Sequence, residues 1–449
     1  MLNRRQLLTT AATSLAFLGL RHIATAEASA ALPGWRDLGA PRPDPMKILD
    51  LAAGFNYSVV ARVGQPMDDG LLYPGDPDGM AAFAGADGTI VLVCNHELSI
   101  DEIDKSPFGA DAALLGQLPA DHLFDSGLDR PCLGGTTTLH YDPVQKQLRR
   151  SFLSLAGTDR NCAGGPTPWG SWLSCEESTK RANGGYKVDH GWVFEVSASA
   201  ESAVLPVPLR AMGRFNHEAC AVDPSTGIVY MTEDRSDSLL YRFIPDQRGK
   251  LAAGGRLQAL ALAAMPSADA RNWPDSGATI LPVRQDFGVR WIELDDVHSP
   301  DDDLRLRGHA GGAAIFARGE GMWFGHEELF FACTSGGPDR LGQIYRYRPR
   351  SERIDLFVES SDARLMKNCD NLTVTPWGDL MVCEDRPDGA SLIGVTPHGQ
   401  LYEFARNAHS SAELCGVCFS PDGNTLFVNI QDDGLTLAIH GPFSSVARS

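Results

Sequence analysis

The chain has 449 residues and a formal net charge of −18, from 57 acidic and 39 basic residues. That balance excludes a nucleic-acid backbone as the partner, since such a surface needs clustered Lys and Arg. Hydrophobic residues make up 43% of the chain, enough for a sizeable core, and the acid excess suits the collection of hard cations such as calcium.

Residues 1–26 read as an export signal. Arg4 and Arg5 stand in Asn3-Arg4-Arg5-Gln6-Leu7-Leu8, an apolar stretch follows from Ala11 to Leu20, and Ala24-Thr25-Ala26 offers small residues for cleavage. The paired arginines suggest the twin-arginine route, with an ordinary secretory signal as the alternative. The apolar run is far short of the ~20 residues that span a bilayer. The expectation is a periplasmic protein, exported already folded by the twin-arginine translocase. Ten cysteines follow, from Cys94 to Cys418. An even count permits disulfides, but Cys175, Cys333 and Cys383 lie in apolar runs and read as buried small hydrophobes.

Residues 27–449 read as one all-β domain. Short β-branched and aromatic runs recur between turn residues, beginning with Thr89–Cys94, Thr136–Tyr141 and Gly191–Val196. They continue through Ile228–Met231, Ser238–Phe243, Leu329–Cys333, Gly342–Tyr347, Leu380–Cys383, Gly399–Phe404 and Thr425–Asn429. Helical spacing is scarce outside the signal and Leu257–Met265. The strands also repeat as a phrase. Asn161-Cys162 leads to Glu176-Glu177, His217-Glu218 to Glu233-Asp234, and Asp370-Asn371 to Glu384-Asp385. Units opened by Glu320 and Glu413 follow the same plan, and the region around Asn95-His96-Glu97 makes a sixth. A strand repeat of about 40–60 residues predicts a six-bladed β-propeller, with a large β-sandwich as the alternative. Residues 266–303 read as an inserted loop.

Equivalent positions of propeller blades surround one axis, so acids at matching phase converge there. Packed like charges repel unless cations neutralise them. Glu97, Glu176, Glu177, Glu218, Glu320, Asp370, Glu384 and Asp385 therefore form a candidate axial metal site, with Asn371 as a further oxygen donor. Cys162, in the polar loop Arg160–Gly165, is a candidate thiolate ligand for iron or zinc, against a disulfide or a free thiol. Arg318, two residues before Glu320, can grip a phosphate oxygen or simply balance the acids. Arg160 faces the same choice.

Several motifs taken together resemble the PhoX-type alkaline phosphatases. They are Met67–Gly70, Pro77-Asp78-Gly79-Met80, Asn95-His96-Glu97, Asn161–Gly165, Trp172–Glu177, Gly213–Ala219, Thr232–Arg235, Arg318–Gly321 and Asp370-Asn371-Leu372. The resemblance implies two ferric ions bridged by the thiolate of Cys162, and several calcium ions. It implies metal-binding roles for Cys162, Glu176, Glu177, Glu218 and Glu320, and further for Asp370, Asn371, Glu97, Glu384 and Asp385. Cys162 and Arg318 are the implied catalytic residues, Arg318 gripping the phosphate. The implied reaction is hydrolysis of small-molecule phosphate monoesters, releasing inorganic phosphate; separately, a monomer is expected. Two departures stand out: the chain is short for the family, and Gly319 replaces an expected proline. The alternatives are a calcium-dependent propeller lactonase or esterase, and a non-catalytic binding propeller.

Overall fold

Runs of Val, Ile, Leu, Phe and Tyr that alternate with polar residues favour the pleated backbone, where branched and aromatic side chains pack well. The computed structural model describes residues 38–446, so the expected export signal lies outside the described residues. Among these, 25 strands occur with only two short α-helices, Leu304–Ala310 and Phe443–Val446. Leu257–Met265, despite its helical spacing, falls largely in the strand Gly255–Leu262. That strand is paired along both edges and buried on both faces, so its apolar run carries no alternation to reveal it.

The strands form five antiparallel sheets. The first holds Pro77–Ala84, Ile90–His96, Gly134–Asp142 and Gln147–Thr158. The second holds Asn161–Pro166, Ser171–Glu176 and Val193–Ser197. The third has nine strands and runs from His217–Val222 at one edge to Gly319–Gly325 at the other. The fourth starts at Cys369–Val374 and the fifth at Leu414–Phe419.

The expectation of six blades is thereby corrected. Four separate blade-like sheets accompany one nearly closed nine-stranded sheet. The cause is the strand Phe287–Glu293, which pairs with Gly255–Leu262 on one side and Arg353–Glu359 on the other. It welds two of the repeats read from the sequence into one sheet. Both edges of that sheet face inward. Six strand edges therefore meet as a closed ring of neighbours: Pro77–Ala84, Asn161–Pro166, His217–Val222, Gly319–Gly325, Cys369–Val374 and Leu414–Phe419.

The core lies between successive sheets. Met381, Leu392 and Phe404 of the fourth sheet, for example, pack on Leu426, Val428 and Leu437 of the fifth. Two early strands finish the late sheets. Leu49–Leu51 pairs with Leu401–Asn407, and Asn56–Arg62 pairs with Leu435–His440.

Close approach of the inner strands depends on small residues. A Cβ on Gly321 would lie 2.5 Å from the Cα of Asn371, and one on Gly79 would lie 2.5 Å from the Cα of Ala163. Both clashes are with backbone and cannot be relieved by a rotamer change. Gly321→Ala is therefore expected to destabilise the protein by about 1–3 kcal/mol, read as a lower urea midpoint.

Candidate metal centre

Every inner strand carries an irregularity near its start, where one extra residue is inserted against its partner. Such a bulge re-aims a side chain out of the sheet. In five of the six strands the second residue stands at this bulge, and it is Asp78, Cys162, Glu218, Glu320 or Asp370. Each is followed by a small or short residue: Gly79, Ala163, Ala219, Gly321 or Asn371. A second contribution comes from the residue just past the neighbouring strand. Glu97, Glu177, Asp234, Thr334, Asp385 and Gln431 each donate their backbone N–H to the carbonyl of the residue preceding an inner strand, at 2.8–3.3 Å. One fold position thus recurs around the axis and supplies a polar side chain each time.

The outcome is a chain of overlapping clusters. Asp78, Glu97 and Cys162 form one group, and Cys162, Glu177 and Glu218 the next. Glu218, Glu320 and Asp370 follow, then Asp370, Asp385 and Glu413. Within each group the donor atoms lie within 4.8 Å of one another. Of the residues expected from sequence, the fold brings together Cys162, Glu97, Glu177, Glu218, Glu320, Asp370 and Asp385. Asn371 is buried beside Asp370, with its backbone against Gly321.

Glu176 and Glu384 are not brought into the cluster. Successive strand residues point to opposite faces, so each turns away as its neighbour, Glu177 or Asp385, turns in. Glu176 accepts hydrogen bonds from the N–H groups of Asp159, Gly191 and Trp192, and its Oε1 lies 2.6 Å from His190 Nδ1. Glu384 accepts from the N–H groups of Lys367 and Ser391. Both tie loops together. Burial alone would lower the pKa of His190, but Glu176 and the hydrogen bond to Asp125 push it up to about 12.

Asp78, Asp234 and Glu413 were missing from the expected set. Asp78 was legible in principle, because Asp78-Gly79 holds the same phase as Glu320-Gly321. Glu413 opens its repeat unit but lies two positions ahead of that phase, in the place that Arg160 and Arg318 hold in their strands, and Asp234 follows Glu233, so neither was counted among the ligands.

The residues fit a cationic group. Glu218 is 1% exposed, yet neither of its carboxylate oxygens has a hydrogen-bond partner among the described residues. Burial raises its pKa well above the carboxylate range, and the charges of Glu177, Asp370 and Asp78 raise it further. Burial likewise drives up Glu320, with Asp234 and Asp370 adding to it. Asp370 is pushed up to about 7 by burial, then by Asp385. The Cys162 thiol is raised by burial and by Asp78, Glu218 and Glu97. Its neighbour Arg160 does not reverse this, so only a bound cation would hold it as thiolate. Carboxylates without partners at this density are stable as anions only around positive charge.

Two arginines border the cluster. Arg318 donates from Nε to Asp234 at 2.8 Å and from Nη2 to Asp234 at 3.0 Å, and its Nη2 lies 2.9 Å from Glu320. Arg160 donates from Nε to Glu97 at 3.0 Å and from Nη2 to both Glu97 and Glu177. At Gly319, where the family resemblance leads one to expect proline, the N–H donates to Ser238 Oγ at 3.2 Å. A proline there could not make that bond. All ten cysteines are free, and Cys162 is the one that is not fully buried.

A family model described as alkaline phosphatase PhoX matches residues 37–122 and 131–434. Among solved structures, the chain is similar to Pseudomonas fluorescens PhoX in complex with vanadate, a transition state analogue. Identity is 19% and the TM-score is 0.63, over 88% of this chain and 96% of that one. A gluconolactonase, XC5397 from Xanthomonas campestris, is 13% identical with a TM-score of 0.41, over 90% of this chain and 99% of that one. Comparison with curated proteins gives no match. The family match runs across all six inner strands and most of the chain between them, and on that ground the chain belongs to the alkaline phosphatase PhoX family, as an enzyme that hydrolyses phosphate monoesters.

Proposed function

We propose that the axial cluster is the phosphatase active site and that it holds two ferric ions bridged by Cys162, with several calcium ions. The observation that carries this is the fully buried, partnerless carboxylate of Glu218 at the join of two donor groups. The donor chemistry divides along the chain of clusters. Cys162, Glu177 and Glu218 offer the thiolate-containing set that suits iron, with Asp78 and Glu97 on its far side. Glu320, Asp370, Asp385 and Glu413 offer oxygen alone, which suits calcium. When bound, the ions supply positive charge that neutralises the phosphoryl oxygens and the charge of the transition state.

The chain's own residues then bind and orient. Asp234 and Glu320 fix the Arg318 guanidinium by its Nε and Nη2 groups. Its remaining donors can take a phosphoryl oxygen in the planar fork that guanidinium provides. Burial works against the charge on Arg318, but Glu320 and Asp234 outweigh it and keep the group cationic. Arg318→Ala is expected to lower kcat/KM by about 100- to 1000-fold with metal content unchanged.

The reading extends to the cell. Residues 1–26 would direct the twin-arginine translocase, residues 27–449 would act as one domain with the insertion at 266–303, and the mature monomer would work in the periplasm. Ten free cysteines suit a chain that folds before it is exported.

The test is phosphate release from a small aryl monophosphate, with elemental analysis of the same sample and of a chelator-treated one. Iron with calcium, and activity lost at least about 100-fold on chelation, are the expected results. A metal-loaded sample that releases no phosphate from common monoesters would defeat the proposal.

A further inference from the structure

We propose that Arg160 is a second phosphate-binding arginine, paired with Arg318 in a two-pronged clamp on the phosphoryl oxygens; this rests on reading the axial cluster as the phosphatase site. The two arginines occupy the same fold position. Each immediately precedes an inner strand and stands two residues before a bulge ligand, Cys162 for Arg160 and Glu320 for Arg318. Each has a left-handed backbone, with φ of 50° for Arg160 and 53° for Arg318.

At the equivalent place in two other strands the chain uses Asp76 and Asn368, also left-handed. Asp and Asn visit that conformation with little penalty, whereas arginine does not. An arginine retained there twice, against its backbone preference, points to its side chain as the reason.

The side chains also share one bonding pattern. Each uses Nε and Nη2 on carboxylates of the cluster, and the Nη1 group of each has no hydrogen-bond partner among the described residues. Their exposure is nearly the same, 39% for Arg160 and 38% for Arg318. An arginine that only balanced buried acids would be expected to spend both edges of its fork on them. Here one edge is tied and the other is open to a ligand. The two are joined along the rim. Arg160 pairs with Glu177, Asn216 donates to Glu177 Oε1 at 2.8 Å and to the Asp234 carbonyl at 3.2 Å, and Asp234 holds Arg318. That network runs past Cys162 and Glu218, the donors grouped with Glu177. It ties the two arginines to one another through shared partners, and each open fork suits a phosphoryl oxygen.

The experiment measures binding of inorganic phosphate to the metal-loaded enzyme by calorimetry, alongside KM for an aryl monophosphate and metal content. Arg160→Ala is expected to weaken phosphate and raise KM by about 10- to 100-fold with metals retained. Arg160→Lys, which keeps the charge but not the fork, is expected to stay at least about 10-fold weaker than wild type. Unchanged phosphate binding and KM in Arg160→Ala would overturn the clamp. If that variant loses its metals, the loaded Arg160→Lys decides, and wild-type phosphate binding there would overturn it too. Failure of the underlying reading looks different: the wild-type protein itself would neither bind nor release phosphate.

Discussion

Replacing Glu218 by glutamine is expected to lower the bound-metal count and cut phosphate release by at least about 100-fold, while the protein stays folded. Loss of a group that merely orients a metal ligand already costs about 10- to 100-fold, so loss of a ligand shared by two donor groups should cost at least as much. Glutamine keeps the shape of the side chain and removes its charge. In the cation-free protein that removal is mild, because burial already favours the neutral form of Glu218. In the loaded protein the same change takes away a negative donor between Cys162, Glu177, Glu320 and Asp370. The effect should therefore appear in metal stoichiometry and activity, and hardly at all in the unfolding midpoint of the chelated protein. Full metal content with full activity in the variant would remove Glu218 from the site.

The second large effect concerns metal removal and pH. Stripped of cations, the protein is expected to lose stability as pH rises from about 6.5 to about 8.5, and calcium should reverse the trend. Asp78, Glu218, Glu320 and Asp370 all have native pKa values above their ordinary ones, with burial the first cause in each. The native chain then holds protons that the unfolded chain has already released. Its stability is fully present below the ordinary carboxylate range and is lost as pH rises through the native values, the lowest of them about 7 for Asp370. Each such group contributes about 1.4 kcal/mol per pH unit across its window. His190, raised to about 12, acts in the same direction. His96 and His217 are held neutral, lowered to about 4 and about 3, and oppose the trend only where the unfolded histidine is charged. Urea midpoints of chelated protein across this range give the slope. A flat or rising profile would show that the acids do not crowd one another.

The all-β class and most outer strands were legible because their residues alternate or cluster by type, as in Leu380–Glu384 and Thr425–Ile430. The inner strands were not. Asn161–Pro166 reads Asn-Cys-Ala-Gly-Gly-Pro, which has the composition of a loop. It forms a strand because only small residues let neighbouring inner strands come together, a requirement no local propensity expresses. The blade count failed for a related reason. Phe287–Glu293 looked like part of an insertion, and nothing in it announces that both of its edges are paired. At the site, the repeat located the acid pairs, but pairing alone does not say which member faces the axis. Strand parity decides that, and it selects Glu177 and Asp385 over Glu176 and Glu384.

The pairing of Leu49–Leu51 and Asn56–Arg62 with strands near the other end of the chain has a consequence for assembly. The two early strands wait for partners made late, because the fourth and fifth sheets that receive them are synthesised after the other three. Cations that need all the inner strands at once meet a complete site only after Leu414–Phe419 has emerged. Whatever loosens this clasp at either terminus reaches the chemistry at the centre without touching one of its ligands.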